Sequence, residues 1–192
     1  MNDKIREIFF GKNVKFLGIG ATVLIILFVI IKVSFINNVQ LSKAVENTIS
    51  NTDVRGYLFA YGVNLNSTVF ADSEYNLLAK DWVVDNAQPD FKEFLFQLGF
   101  NKWEKNNSDC DDFAKAFTVF LKSYVKKSKP DAASPAVGEI YYIRRVGGAH
   151  AINIIVLAGS DGTPSLAFFE PQEHKFVNLS LEEIQSIYFI SI

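Results

Sequence analysis

The chain has 192 residues, and its 19 Lys and Arg against 21 Asp and Glu give a formal net charge of -2 at neutral pH. This length suits one globular domain with an appendage, and the near-neutral charge argues against nucleic acid as a main partner. The single cysteine excludes an intrachain disulfide, which a well-packed domain of about 150 residues does not need.

The first predicted element is an apolar helix near the N-terminus. Residues 16–31 carry no charge, and the apolar character resumes after Lys32 through Ile36. About 20 apolar residues span a bilayer as a helix, and the basic residues before this run favour a cytoplasmic N-terminus. We therefore predict a cytoplasmic tail at 1–15, a transmembrane signal anchor in the lipid bilayer at 16–36, and a single-pass membrane protein whose C-terminal domain is extracytoplasmic. A cleaved signal peptide and a buried helix are the alternatives.

Beyond the apolar run, the sequence predicts a polar stalk at 37–52 and then one domain at 53–192. Residues 53–72 are ambiguous between short strands and irregular structure. Apolar and aromatic side chains at helical spacing predict two helices, at about 73–86 and 90–98. We interpret the aromatic side chains of both helices as core.

A third, amphipathic helix begins near Cys110, with Ser108 as its expected N-cap and Asp111 as the partner in a capping box. The lysines before Pro130 are typical of a helix end. Beyond them the sequence period changes to that of strands. The predicted strands are 139–145, 149–157 and 165–170, and a short helix at 181–185 and a strand at 187–192 follow. Helices followed by an antiparallel meander predict an α+β fold.

Cys110 is a candidate nucleophile. It lies in the first turn of the third helix, where unpaired backbone N–H groups and the helix dipole favour a thiolate. Asp109, Asp111 and Asp112 oppose this effect, because neighbouring negative charge raises the pKa of a cysteine. A thiol used only for packing is the alternative, but polar neighbours favour the reactive role.

His150 begins the second strand of the meander, and two residues able to orient its ring lie at the end of the third strand. Pairing these strands brings position 150 opposite about position 172, with 170 as a diagonal neighbour on the same face. Glu170 or Gln172 can therefore orient the imidazole, although only Glu170 would also balance an imidazolium charge. We predict that Cys110, His150 and one of these two residues act together.

Three other polar features receive a structural interpretation. Asn153 has the opposite parity to His150 and is expected to make a structural hydrogen bond, and His174 is interpreted as a loop residue at the surface. One cysteine and two histidines without clustered spacing predict no zinc centre. Asp111 and Asp112 can contribute to calcium binding, but adjacent aspartates at a helix start are usually solvated.

At these residues the chain resembles the papain-like/transglutaminase-like cysteine peptidase superfamily. The resemblance is closest to the calcium-dependent cysteine-protease domain that follows the sugar-binding domain of a mushroom agglutinin, and to related bacterial and phage proteins. It covers about 72–172 and rests on Asp109–Ala114, His150–Asn153 and Phe169–Gln172. It implies a papain-like α+β core, made of N-terminal helices, a nucleophile helix and an antiparallel sheet.

The same resemblance implies Cys110 as nucleophile, His150 as general base and Glu170 as the orienting acid of a Cys-His-Glu triad. We therefore predict a membrane-anchored, extracytoplasmic cysteine hydrolase, a thiol protease that cleaves a peptide or protein substrate in the cell envelope. No cofactor is required, and calcium is implied by the resemblance alone. The alternatives are transglutaminase-like acyl transfer, a cell-wall amidase, or a non-catalytic papain-like module that binds a peptide or a membrane partner.

Overall fold

The structure is a computed structural model that describes residues 45–100, 102–105, 107–159 and 161–192. Within these residues the main element is one eight-stranded sheet. Its strands are β1 (Val45–Ser50), β2 (Thr68–Val69), β3 (Glu74–Ala79), β4 (Val137–Arg144), β5 (Gly148–Ala158), β6 (Pro164–Glu170), β7 (Lys175–Val177) and β8 (Phe189–Ser191). The strand order is β1–β3–β5–β4–β8–β2, with β6 paired to β5 and β7 paired to β6.

Helices connect the strands and cover the sheet. They are α1 (Asn51–Ala60), α2 (Lys80–Trp82), a π-helical turn (Val83–Ala87), α3 (Gln88–Gln97), α4 (Cys110–Ser128) and α5 (Leu181–Gln185). The long helix α4 begins with a capping box in which the side chains of Asp109 and Asp112 each accept from the other residue's backbone N–H. This arrangement satisfies two donors that a helix N-terminus otherwise leaves unpaired.

The two faces of β5 support two separate cores. Its odd-numbered side chains, Ile155 and Leu157, pack with Phe117 of α4 and with the residues of α3. Its even-numbered side chains, including Ile154, pack with α1 through Leu58. The strand is therefore buried on both faces and holds the α4 layer against the rest of the domain.

Several local predictions are confirmed. The third helix, the helix near 90–98 and the three-strand meander all form, within a few residues of the predicted bounds. The register pairs Asn153 with Phe169 and Val156 with Leu166, as the predicted pairing requires. The predicted N-cap is wrong by one residue, because Asp109 caps α4 and the Ser108 hydroxyl instead donates to the Lys102 carbonyl at 2.8 Å.

The predicted architecture is wrong. Residues 74–79, expected to be helical, form β3, and residues 45–50, expected in the stalk, form β1. Strands therefore precede the helices, and the sheet is mixed because β3 pairs parallel with β5 and β2 pairs parallel with β8. The papain-like/transglutaminase-like α+β core, with helices followed by an antiparallel meander, is corrected to one mixed sheet with strands from both ends of the described chain.

The predicted membrane location is also corrected. Across the residues that the structure describes, no helix has the length and apolar character needed to cross a bilayer. The proposed transmembrane segment 16–36 and the cytoplasmic tail 1–15 lie outside the described residues. A single-pass anchor with an extracytoplasmic domain therefore has no support from the structure.

Candidate ligand-binding site

His150 and Glu170 form a buried pair at one end of the β5–β6 ladder. His150 Nε2 lies 2.7 Å from Glu170 Oε2, and the two residues are only 7% and 8% exposed. The second carboxylate oxygen, Oε1, accepts from the backbone N–H of Gln172 at 3.1 Å. Because both oxygens are held, Glu170 sets the orientation of the imidazole ring.

Tyr142 is a neighbour of His150 that the sequence analysis did not predict. It pairs directly with His150 across the β4–β5 ladder, and the ring centroids lie 5.8 Å apart in an edge-to-face arrangement. Burial, followed by the charges of Glu183 and Glu170, raises the pKa of Tyr142 to about 12. Gly147 and Gly148 lie at the tight turn between β4 and β5. A tight turn fixes how two strands pair, so these glycines could have predicted that Tyr142 lies opposite His150.

Cys110 lies half-buried at the first position of α4. Its sulfur accepts a hydrogen bond from the backbone N–H of Ala151, the residue after His150, so the structure brings Cys110 to the same end of β5. Burial is the main effect that raises the pKa of Cys110, and the charges of Asp109 and Asp111 raise it further. Backbone hydrogen bonds act in the opposite direction and favour the thiolate, but the net effect is a raised pKa.

The aspartates around Cys110 are engaged in the helix start. Their carboxylate oxygens gather within 4.8 Å of one another. Asp111 Oδ2 accepts from Lys115 Nζ at 2.5 Å, and Asp112 Oδ2 accepts from the Asp109 backbone N–H at 3.3 Å. An ion pair and a cap explain these positions, so calcium binding stays a prediction.

A groove of about 410 Å³ begins at Gln172, and we call it the Gln172 groove. Its lining residues are Lys92, Leu95, Phe96, Phe100, Lys102, Trp103, Phe113, Gln172 and His174. A larger groove of about 580 Å³ lies along the C-terminal half of α4, where its lining includes none of the predicted site residues. Of the four predicted site residues, Gln172 lines the Gln172 groove, whereas Cys110, His150 and Glu170 are not among its lining residues.

Gln172 and His174 both differ from their expected roles. The Gln172 backbone contacts Glu170, whereas its side chain lines the groove, and the structure gives no hydrogen-bond contact between that side chain and His150 among the described residues. His174, expected at the surface, is half-buried, and its ring lies 5.7 Å from that of Phe91 in an edge contact. It adopts a left-handed conformation with φ of 52°. Burial and the Lys92 cation lower the pKa of His174.

Comparison with known proteins gives similarity at the level of the fold. No family model and no curated protein matches the sequence. A solved structure described as the PSL1a–E64 complex is 22% identical, with a TM-score of 0.56 over 76% of this chain and 51% of the other. Polyporus squamosus lectin, bound to the human-type influenza-binding epitope Neu5Acα2-6Galβ1-4GlcNAc, is 23% identical with a TM-score of 0.58 over 76% and 49%. The chain thus spans about half the length of these relatives.

These comparisons correct the functional predictions. The similar structures are described as a lectin with a bound glycan epitope and as a complex with E64. The assignment to the papain-like/transglutaminase-like cysteine peptidase superfamily is contradicted, and with it the expected hydrolase activity and enzyme class. Of the predicted partners, a protein or glycan ligand is consistent with these descriptions. The predicted lipid bilayer is not supported by the described helices.

Proposed function

We propose that this chain is a non-catalytic binding module whose ligand lies in the Gln172 groove, supported from within the fold by the buried His150–Glu170 pair. The observation that carries this proposal is a concave, largely apolar groove, one of whose lining residues is held by a buried polar pair. That residue is Gln172, whose backbone N–H donates to Glu170. Ligand sites typically combine an apolar concave surface with a few well-placed polar groups.

The chemistry of the polar site supports binding. The His150–Glu170 pair is preorganised and almost inaccessible to solvent. The raised pKa of Cys110 disfavours the thiolate that would attack a ligand, and a thiol can donate a weak hydrogen bond. In this arrangement the buried His150–Glu170 pair fixes the Gln172 backbone, and Gln172 in turn lines the groove.

An extended, peptide-like ligand fits this surface best. The groove presents aromatic and aliphatic side chains that suit apolar groups along a chain, and one similar structure is a complex with E64. A glycan is the second candidate, because the other similar structure holds a sialylated epitope. Trp103, which is 55% exposed in the groove, offers a flat apolar face to either ligand.

The test is a titration of the full chain with E64 and, separately, with the trisaccharide Neu5Acα2-6Galβ1-4GlcNAc, followed by intrinsic tryptophan fluorescence. We expect reversible binding of E64. Phe96→Asp should weaken it at least about tenfold, because Phe96 lines the groove and is 68% exposed. The matched control is Phe59→Asp, since Phe59 is equally exposed on α1, at 74%, and does not line the groove.

Each outcome of this titration decides between the candidates. Binding of the trisaccharide without binding of E64 would show that the ligand is a glycan and not a peptide. Binding of neither ligand, or equal effects of the two phenylalanine substitutions, would contradict a binding role for this groove. A permanent mass increase on Cys110 after exposure to E64 would contradict the non-catalytic proposal, because it would require an attacking thiolate.

A further inference from the structure

We propose that the Gln172 groove recognises a carboxylate, and that its ligand is a peptide ending in an apolar residue with a free C-terminal carboxyl group. This inference rests on the proposed function and specifies which ligand chemistry the groove selects. It is carried by the polar groups of the groove, by a lysine there that has no carboxylate partner among the described residues, and by the apolar side chains that line the same groove.

Two buried side-chain atoms, in residues that line the groove, have no hydrogen-bond partner within the described structure. They are Gln172 Nε2, which is always a donor, and His174 Nδ1, which donates in one of the two neutral tautomers. Both residues line the groove. Buried polar groups are normally paired, and an exception calls for an explanation. A ligand oxygen that accepts from both atoms supplies one.

Lys92 provides the positive charge. It lines the groove and lies close enough to His174 to lower the pKa of that ring. The other lysine of the groove, Lys102, is 3.0 Å from the Glu104 carboxylate, whereas the part of the chain that the structure describes gives Lys92 no carboxylate partner. A negatively charged ligand group at the His174 end therefore gains one uncompensated cation and two neutral donors.

The remaining wall is apolar. Leu95, Phe100 and Phe113 line the same groove, and its volume of about 410 Å³ lies in the range of small-ligand sites, about 300–1,000 Å³. A carboxylate at the end of a peptide is attached directly to the last residue, so an apolar side chain there would meet this wall. In an Asp or Glu residue the carboxylate is itself the end of the side chain, so that residue has no separate apolar side chain to meet this wall.

The experiment compares two peptides that differ only at the C-terminus. The tripeptide acetyl-Ala-Leu-Phe with a free carboxylate and its C-terminal amide are titrated into the full chain, with fluorescence or calorimetry as the measurement. We expect the acid to bind at least about tenfold more tightly than the amide. This preference should shrink at high salt, because the ion pair is screened, and an amide cannot supply the charged acceptor.

Lys92→Met should reduce the preference for the acid while leaving amide binding almost unchanged, whereas Gln172→Leu should weaken binding of both peptides, because both carry an oxygen that can accept from Gln172 Nε2. The control is Lys127→Met, because Lys127 lies in the groove along α4 and not in the Gln172 groove. Octanoate is titrated in parallel, and its binding with equal affinity would replace the peptide by a free carboxylic acid and overturn the peptide assignment.

The failures of the two proposals are distinguishable. Equal binding of acid and amide, or equal effects of Lys92→Met and Lys127→Met, overturns carboxylate recognition and leaves the binding module intact. Binding of E64 without binding of either peptide has the same meaning. Absence of binding by both peptides, octanoate, E64 and the trisaccharide overturns both proposals.

Discussion

Cys110 shows how the environment of one side chain decides its chemistry. The start of α4 supplies backbone donors that favour a thiolate, yet burial and the charges of Asp109 and Asp111 raise the pKa of the thiol. The sequence contained both influences and could not weigh them, because the burial of a residue depends on the elements packed around it. The structure places the balance on the side of the neutral thiol.

We expect Cys110 to react with iodoacetamide at neutral pH more slowly than a free thiol such as glutathione, since alkylation requires the thiolate. Asp111→Asn should accelerate the reaction a few-fold by removing one of the charges that raise the pKa. Intact mass spectrometry over time gives both rates, and Asp161→Asn in the exposed β5–β6 turn is the control. A wild-type rate faster than that of glutathione would show an activated thiol instead.

His174 should make the fold sensitive to mild acid. Burial and Lys92 lower its pKa in the folded chain, so the unfolded chain binds this proton more readily. Its contribution to stability is therefore complete above the ordinary histidine pKa of about 6.5 and is lost as the pH falls through the lower folded value. We expect His174→Asn, which tolerates the left-handed backbone, to lose less stability than the wild type between about pH 7 and pH 5. Urea midpoints across that range measure the difference, and parallel profiles would contradict it.

At the scale of elements, Asn153 joins α4 to the sheet. Its side-chain amide nitrogen donates to the Ala114 carbonyl at 2.9 Å, to Thr118 Oγ1 at 3.0 Å and to the Gly138 carbonyl at 3.1 Å. The residue is fully buried in the centre of β5. This confirms its expected structural role and ties the helix that carries Cys110 to two strands.

We expect Asn153→Ala to lower the free energy of unfolding by about 1–3 kcal/mol, because buried acceptors lose their donor. Asn178→Ala is the matched control, since Asn178 is exposed after β7, and it should change stability by less than about 0.5 kcal/mol. Urea denaturation measures both. Equal effects would show that the three hydrogen bonds of Asn153 contribute nothing specific.

The elements that could be predicted from sequence are those with local signals. Helix α4 has acidic residues at its start and lysines before Pro130, and β5 and β6 are joined by a short turn. By contrast, β3 has four consecutive buried residues, Tyr75 to Leu78, and a short buried run of this kind fits a helix as well as a strand. Its pairing with β5 joins residues far apart in sequence, and local periodicity carries no information on that.

For the site, strand parity was enough to place Glu170 beside His150, since both face the same side of the ladder. Strand parity did not show that Gln172 and His174 line the groove. Both residues follow β6 in a turn, and turn geometry has no simple sequence period. The protein class was wrong for a related reason. A Cys-His-Glu pattern in the sequence predicts which side chains lie near one another. Their function also depends on their burial and protonation, which the pattern does not give.

At the scale of the whole molecule, the closeness of β4 and β8 limits which side chains the sheet accepts. A Cβ atom at Gly138 would lie 1.9 Å from the Ser191 carbonyl oxygen and 2.8 Å from Ile192 Cα. Because those are backbone atoms, β8 would have to move away from β4. This contact therefore couples the end of the described chain to the centre of the sheet.

We expect Gly138→Ala to destabilise the fold by about 1–3 kcal/mol or more through this overpacking. Gly56→Ala is the matched control: Gly56 is exposed within α1, and a Cβ there would have nothing within 4 Å. It should stabilise the fold by up to about 1 kcal/mol, because alanine is the better helix former. Thermal unfolding of both variants gives the comparison, and a neutral Gly138→Ala would contradict the close packing of β4 and β8.

The position of β8 also has a consequence for biosynthesis. This strand is inserted between β4 and β2, and Thr68 of β2 pairs with Ile190. While the chain is being translated, the edges of β4 and β2 have no partner until residues 189–191 have left the ribosome. Unpaired strand edges are where nascent chains associate wrongly. Newly made protein should therefore depend on chaperones until β8 has been synthesised, even though the earlier helices and the β4–β6 meander can form from local contacts.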